Sequence, residues 1–133
     1  MRYMLDTNIC IYLMKRQPPR LLARFAMLGQ GDVVMSALTL AELRSGVAVS
    51  AYREQDEAAL DGLLEDVPSL PFGDAAASSY AALRAAVPDR RRDAIDRLIA
   101  THAVSLDLTL VTNDETGFTG YPGLRLENWA AGR

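Results

Sequence analysis

Short apolar runs alternate with longer segments of helical periodicity along this chain. The runs are rich in Val, Met and Leu and predict buried strands at residues 2–5, 33–35, 69–72, 108–112 and 124–126. The segments between them predict helices at residues 9–14, 20–28, 51–64, 75–87 and 95–106, and one that residues 36–40 introduce and that runs through 47. Strands that alternate with helices indicate an α/β fold with a parallel sheet covered on both faces.

The predicted strands form one sheet in one domain. The 133 residues contain no internal repeat, linker or low-complexity tract, and a chain of this length can bury a core of its own. Pro71 lacks the amide hydrogen that a central strand needs, so the strand at residues 69–72 is expected near an edge. We therefore expect a mainly parallel sheet of four to five short strands in a single domain over residues 1–133.

Composition narrows the class of protein without identifying a substrate. Half of the residues are hydrophobic, and the one cysteine cannot form an internal disulfide. The sequence has neither a signal peptide nor an apolar stretch of about 20 residues, so a cytoplasmic protein that does not enter a membrane is expected. Because the formal net charge is -3, no global positive field would draw the chain to nucleic acid. Charge alone neither supports nor excludes such a substrate.

Four acidic residues lie where a predicted strand ends or a helix begins, namely Asp6, Glu42, Asp96 and Asp114. Each has a structural explanation. Asp6 could cap the first helix, and residues 39–42 match a capping box in which Glu42 returns to the first amide of the motif. Residues 93–96 resemble a weaker version of that motif, and Asp114 could accept from a nearby amide in a turn. At any single position, capping is at least as good an interpretation as a functional role.

The four acids together favour a metal site. The carboxyl ends of parallel strands and the helices that start there meet at one edge of a sheet, so these side chains are expected close together. Carboxylates within several ångströms repel one another unless a cation neutralises them. Carboxylate and water oxygens suit Mg²⁺ or Mn²⁺, and the chain lacks the Cys and His clusters of a zinc site. Such a site can bind a phosphodiester and acidify a water, which is nuclease chemistry.

The single histidine and the single cysteine do not suggest a different nucleophile. His102 falls on an apolar helix face and is expected to be a packed residue rather than a general base. Cys10 lies between two isoleucines and is expected to be a small core residue. The sequence therefore gives no reason to invoke a serine triad or a cysteine dyad.

Four motifs in order resemble the PIN-domain family, and more narrowly the VapC toxins of prokaryotic toxin–antitoxin pairs. They are MLDTN at residues 4–8, SALTLAEL at 36–43, DRLIATHA at 96–103 and LVTND at 110–114. The resemblance continues to residues 122–129 and so covers nearly the whole chain. It implies a PIN-like three-layer α/β/α sandwich and a Mg²⁺- or Mn²⁺-dependent endoribonuclease.

The resemblance also implies roles for the acids. Asp6 and Asp96 would be the firmest metal ligands. Glu42 would bind the metal directly or through water and orient the nucleophile, while Asp114 would complete the cluster or hold a second ion. Supporting hydrogen bonds would come from Thr7, Asn8 and Thr112.

The resemblance to VapC toxins also implies binding partners. It implies a VapB-like cognate antitoxin that wraps the toxin and obstructs the acidic pocket. It also implies homodimers, with higher hetero-oligomers formed with the antitoxin, and contact with DNA only through the antitoxin. The RNA target, whether tRNA, rRNA or mRNA, is not indicated by the sequence.

Two features depart from the family's pattern. Similar chains often have a Gly- and Pro-containing loop before Asp96, whereas residues 89–93 here are short and basic. Asp93 lies three residues before Asp96 and could compete for the ligand role, although Asp96 keeps the family's spacing to the residues that follow. Arg97 is polar where many relatives are apolar, so we expect it beside the metal pocket and in contact with RNA phosphate. Arg84 and residues 90–92 complete the densest basic region, for which a solvated helix face is the simpler interpretation.

Other function classes fit less well. An aspartyl-phosphate phosphatase would have a second Asp two residues after Asp6, where this chain has Asn8. A receiver domain would place a lysine near the last strands, and the only lysine is Lys15 in the first helix. Two alternatives stay open. One is a PIN nuclease outside a toxin–antitoxin pair, and the other is a PIN-like fold that acts mainly as a regulatory subunit of an antitoxin–DNA repressor complex.

Overall fold

A five-stranded parallel sheet forms the centre of the structure, which is a computed structural model describing residues 1–87 and 94–131. The strands are β1 (Tyr3–Leu5), β2 (Val33–Ser36), β3 (Ser69–Leu70), β4 (Thr109–Val111) and β5 (Arg125–Glu127). Their order across the sheet is β3-β2-β1-β4-β5, and each neighbouring pair is parallel. The α/β class and the parallel sheet are therefore as predicted, and β3 is the edge strand that Pro71 indicated.

In the described part of the chain, six helices and one short 3-10 turn connect the strands. The helices are α1 (Thr7–Met14), α2 (Pro19–Ala26), α3 (Ala37–Ala48), α4 (Arg53–Asp66), α5 (Asp74–Ala86) and α6 (Ala94–Ser105), and the 3-10 turn is Thr116–Phe118. Local chemistry sets several of the starts. Ser36 caps α3 by accepting from the Leu38 amide at 3.1 Å. Pro19 occupies the first turn of α2, where its missing amide hydrogen costs nothing.

Alternating residues of the central strands divide the core between the two faces of the sheet. On β1, Tyr3 and Leu5 belong to one buried cluster and Met4 belongs to the other. The first cluster packs against α1 to α4 through residues such as Leu60, and the second packs against α5 and α6 through residues such as Ile99. The result is the predicted three-layer α/β/α arrangement. None of the helices in the described part of the chain has the length and apolar character that crossing a bilayer requires.

Candidate functional site

All four acids predicted from the sequence line one cavity at the carboxyl edge of the sheet. The cavity has a volume of about 190 Å³ and is lined by Asp6, Thr7, Asn8, Glu42, Asp96, Asp114 and Phe118. Larger cavities exist, including one of about 460 Å³ beside α1. The cavity that contains the four acids, called the acid cavity below, is therefore distinguished from the others by its concentration of carboxylates and not by its size.

Asp6 is the buried member of the group. It follows β1 directly and caps α1, with its carboxylate accepting from the Ile9 amide at 2.9 Å. Burial raises the pKa of Asp6 from 3.8 to about 6, and the negative charges of Asp114 and Glu42 add to that rise. Hydrogen bonds from Thr112 and the Ile9 amide oppose it. The capping interpretation is thus confirmed, and the same carboxylate is also held among like charges.

Glu42 does not take part in the predicted capping box, so that interpretation was wrong. β2 runs straight into α3, whose cap is Ser36, and Glu42 lies in the second turn rather than at the helix start. The exposed Glu42 carboxylate instead accepts from the Thr7 hydroxyl at 2.5 Å. Thr7 Oγ1 also lies 3.4 Å from the hydroxyl of Thr39. A residue on α1 therefore fixes the acid of α3 at the cavity.

Asp96 and Asp114 line the acid cavity from the other side of β1. Asp96 lies in the first turn of α6, while Asp93, its predicted competitor, lies outside the described residues. Asp114 accepts from the Gly117 amide at 3.0 Å, and its own amide donates to Thr112 Oγ1 at 2.9 Å. The turn interpretation of Asp114 is confirmed, and the residue lines the cavity as well.

Gly117 was missed by the sequence analysis. A Cβ added there would collide with the carboxylate of Asp114, so only glycine lets the side chain fold back onto this turn. No motif identified the position, because the contact depends on how the turn after β4 closes. Phe118 was also missed, and this buried residue is the one apolar member among the described residues that line the cavity.

Arg97 does not occupy the position expected for a phosphate-binding residue. Its side chain is only 5% exposed and does not line the acid cavity. The reason lies in helix geometry, since a residue next to Asp96 is rotated by about 100° around α6. Arg84 is partly exposed on α5, and residues 90–92 lie outside the described part of the chain.

His102 and Cys10 are packed residues, as predicted. His102 is 2% exposed, and its Nδ1 lies 2.8 Å from the Ser36 hydroxyl. Burial lowers the pKa of His102, and a backbone hydrogen bond with Pro71 opposes that effect. Cys10 is fully buried on α1, and burial raises the pKa of its thiol. Neither group lines the acid cavity.

The acids suit a hard divalent cation by their chemistry. Among residues 1–87 and 94–131, no group of three or more His, Cys, Asp or Glu side chains is arranged so that it could hold an ion as it stands. The available donors are nevertheless carboxylate oxygens, and Mg²⁺ usually takes only one or two carboxylates and keeps several waters. The effect of Asp114 and Glu42 on the pKa of Asp6 indicates negative charge that a cation would neutralise.

Comparison with known proteins gives a consistent set of relatives. A family model described as PIN domain matches residues 3–123. A protein named tRNA(fMet)-specific endonuclease VapC, from Shigella flexneri, is 36% identical over 132 residues, which span 98% of this chain and 99% of the relative. The solved structure of VapBC2 from Rickettsia felis, bound to a DNA fragment from their promoter, matches with a TM-score of 0.87 at 34% identity, covering 97% of this chain and 99% of the other. DNA-bound VapBC from Salmonella typhimurium matches with a TM-score of 0.89 at 32% identity, covering 97% and 98%.

Proposed function

Because this chain belongs to the PIN-domain family, and within it to the VapC ribonucleases, we propose that it is a divalent-metal-dependent endoribonuclease and the toxin of a VapBC-type pair. The observation that carries the proposal is the convergence of Asp6, Glu42, Asp96 and Asp114 on one cavity. These acids come from four separate segments of the chain. They lie together at the carboxyl edge of a parallel sheet, which is the edge where open α/β folds bind ligands.

The proposed roles are those that the resemblance to the PIN-domain family implies for the acids of this cavity. Asp6 and Asp96 would hold the ion, which we take to be Mg²⁺ or Mn²⁺. Asp114 would complete the cluster or hold a second ion. Glu42 would bind the metal directly or through water and orient the attacking water. A bound divalent cation would supply Lewis acidity, lowering the pKa of a water and stabilising charge on the phosphate.

Neighbouring hydroxyl groups would keep these acids in position. The Thr7 hydroxyl donates to Glu42 at 2.5 Å and so restricts the orientation of the carboxylate that would position the attacking water. Thr112 hydrogen-bonds to the side chain of Asp6 and accepts from the backbone amide of Asp114, so it ties together the acids that follow β1 and β4. Removal of such supporting groups typically costs about 10- to 100-fold in metal affinity or activity.

The proposed substrate is RNA. The Shigella relative is named for tRNA(fMet), so a tRNA is the first candidate and rRNA the second. The proposed partner is a VapB-like antitoxin that obstructs the acid cavity, with DNA bound only through it, since the related complexes were solved with bound DNA. We further propose a homodimer, or a larger assembly with antitoxin, in the prokaryotic cytoplasm, built from a single PIN domain over residues 1–133.

Cleavage of total cellular RNA by purified, antitoxin-free protein tests this function. With Mg²⁺ or Mn²⁺ the wild type is expected to give discrete fragments, and with EDTA it is expected to give none. Asp6→Asn should give none under either condition, while circular dichroism confirms that it is folded. Absence of cleavage by a folded wild type that binds Mn²⁺ would contradict the nuclease and favour the second candidate, a mainly regulatory subunit of a DNA-bound repressor. The observation favouring that candidate is the DNA in the related structures.

A further inference from the structure

A second cavity opens at the same edge of the sheet as the acids. It has a volume of about 460 Å³, more than twice the 190 Å³ of the acid cavity. It lies between α1 and the segment after β5, with Tyr12, Lys15 and Gln17 on one side and Asn113 and Asn128 on the other. Asn113 is the residue before the proposed metal ligand Asp114, so the two cavities are joined by the turn that follows β4.

The wall of this cavity carries unmet hydrogen-bonding capacity. The side-chain amide of Asn113 donates to the Tyr12 hydroxyl at 2.9 Å. Asn113 Oδ1 is buried and accepts no hydrogen bond from any described residue. Whichever way the amide faces, the Asn113 and Tyr12 pair retains at least one donor and at least one acceptor for a third group. A ligand that presents one acceptor beside one donor would satisfy both.

Charge in this cavity is opposite to that of the acid cavity. Lys15, the only lysine of the chain, lies exposed at its border, and no carboxylate is among the described residues that line it. Asn128 is already engaged, because its Oδ1 accepts from the amides of Ala130 and Ala131 and its Nδ2 donates to Glu115. Asn128 therefore contributes to the shape of the wall. Lys15 is the one cationic residue among the described residues that line this cavity, so it can attract an anion.

We propose that this cavity binds one nucleotide of the RNA substrate beside the cleaved linkage. The Asn113 and Tyr12 pair faces the edge of a base, where donors and acceptors alternate, and Lys15 contacts a phosphate. The volume falls within the roughly 300 to 1,000 Å³ of small-molecule sites, and proteins that read RNA commonly take up single bases splayed from the chain. This inference rests on the proposed nuclease function and adds a substrate subsite to it.

Nucleotide binding without metal tests the subsite directly. Isotope-labelled wild type in EDTA is titrated with 5′-AMP, and NMR follows backbone and side-chain amides. We expect saturable shifts at the Asn113 side chain and around Tyr12, and the shifts around Tyr12 should be lost in Asn113→Ala. Because Lys15 is exposed, Lys15→Gln should weaken binding about fivefold, the upper end for an exposed ion pair. Arg53→Gln removes the same charge from α4 and should bind like wild type. The same shifts with inorganic phosphate alone, or shifts confined to the acid cavity, would overturn base recognition here.

Cleavage kinetics separate this inference from the proposed function. If the nuclease and the subsite are both correct, Lys15→Gln should raise KM for RNA about fivefold and leave kcat unchanged, because the lost contact lies away from the acids. If wild type cleaves RNA and Lys15→Gln has the KM of Arg53→Gln, the subsite is wrong and the nuclease stands. If a synthetic antitoxin peptide, but not 5′-AMP, shifts Asn113, the cavity is a protein-binding site and the inference also fails.

Discussion

Two buried titratable groups near the carboxyl edge of the sheet, Asp6 and His102, differ in what surrounds them. His102 has neutral partners, with Nδ1 at 2.8 Å from the Ser36 hydroxyl and its ring edge-on to Phe72 at 5.4 Å between centroids. Asp6 accepts hydrogen bonds, but its other neighbours include the carboxylates of Glu42 and Asp114. Burial disfavours the charged form of both groups, lowering the pKa of His102 and raising that of Asp6 to about 6.

The difference separates a polar group that the fold alone satisfies from one that we propose to be a metal ligand. His102 is satisfied as a neutral ring, so the fold requires nothing further at that position. The carboxylate of Asp6 is repelled by its acidic neighbours whenever all of them are ionised, and none of the described residues that line the cavity is cationic. A carboxylate in a cleft whose pKa is strongly shifted by burial and by nearby charges is a candidate functional residue. A bound cation would reduce the repulsion between Asp6 and its acidic neighbours, and it would have no comparable effect on His102.

The largest expected contrast is in RNA cleavage. Asp96→Asn should lower kcat/KM by more than about 100-fold, because loss of a ligand should cost at least as much as loss of a supporting group. His102→Gln, which keeps a hydrogen-bonding side chain near Ser36, should remain within about threefold of wild type. Asp93→Asn serves as the matched control for Asp96. Full activity of Asp96→Asn together with an inactive Asp93→Asn would move the ligand role to Asp93.

Stability in the absence of metal should depend on pH through Asp6. Its folded pKa of about 6 is above the ordinary 3.8, so its contribution to stability is present below about pH 4 and is lost as pH rises through 6. That rise in pKa corresponds to about 3 kcal/mol. In EDTA, Asp6→Asn should therefore gain up to about 3 kcal/mol in unfolding free energy relative to wild type between pH 4 and pH 8. Urea denaturation at both pH values measures the change, and parallel behaviour of the two proteins would refute it.

A smaller effect is expected from closing the space beside Asp114. Gly117→Ala puts a methyl group into the Asp114 carboxylate, so the acid or the turn must move. We expect Mn²⁺ affinity to fall about tenfold, the lower end for disturbed supporting groups. Gly62→Ala is the matched control, since nothing lies within 4 Å of its added Cβ on α4. Unchanged Mn²⁺ affinity in Gly117→Ala, measured by calorimetry, would show that metal binding does not depend on this position of the Asp114 carboxylate.

The sequence predicted the fold and the four carboxylates of the acid cavity, because both depend on local patterns and on the order of the motifs. Apolar runs and helical spacing identify the layers, and Asp6 is fixed at the end of β1 whatever the rest of the chain does. Glu42 was assigned to the wrong part of its helix, because Ser36 ends the strand and caps α3 with no intervening loop. The burial of Arg97 and the close contact of Gly117 with Asp114 were not predicted, since each depends on how one element is rotated or closed against another.

Proton release on metal binding tests the central claim most directly, namely that the acid cavity is a cation site with Asp6 as its buried ligand. Mn²⁺ is titrated by calorimetry at pH 6 and pH 8 in buffers with different ionisation enthalpies. Because Asp6 is about half protonated at pH 6, binding should release about half a proton there and almost none at pH 8. Asp6→Asn should bind more weakly and release none. Equal proton release at both pH values, or wild-type affinity in Asp6→Asn, would contradict the account.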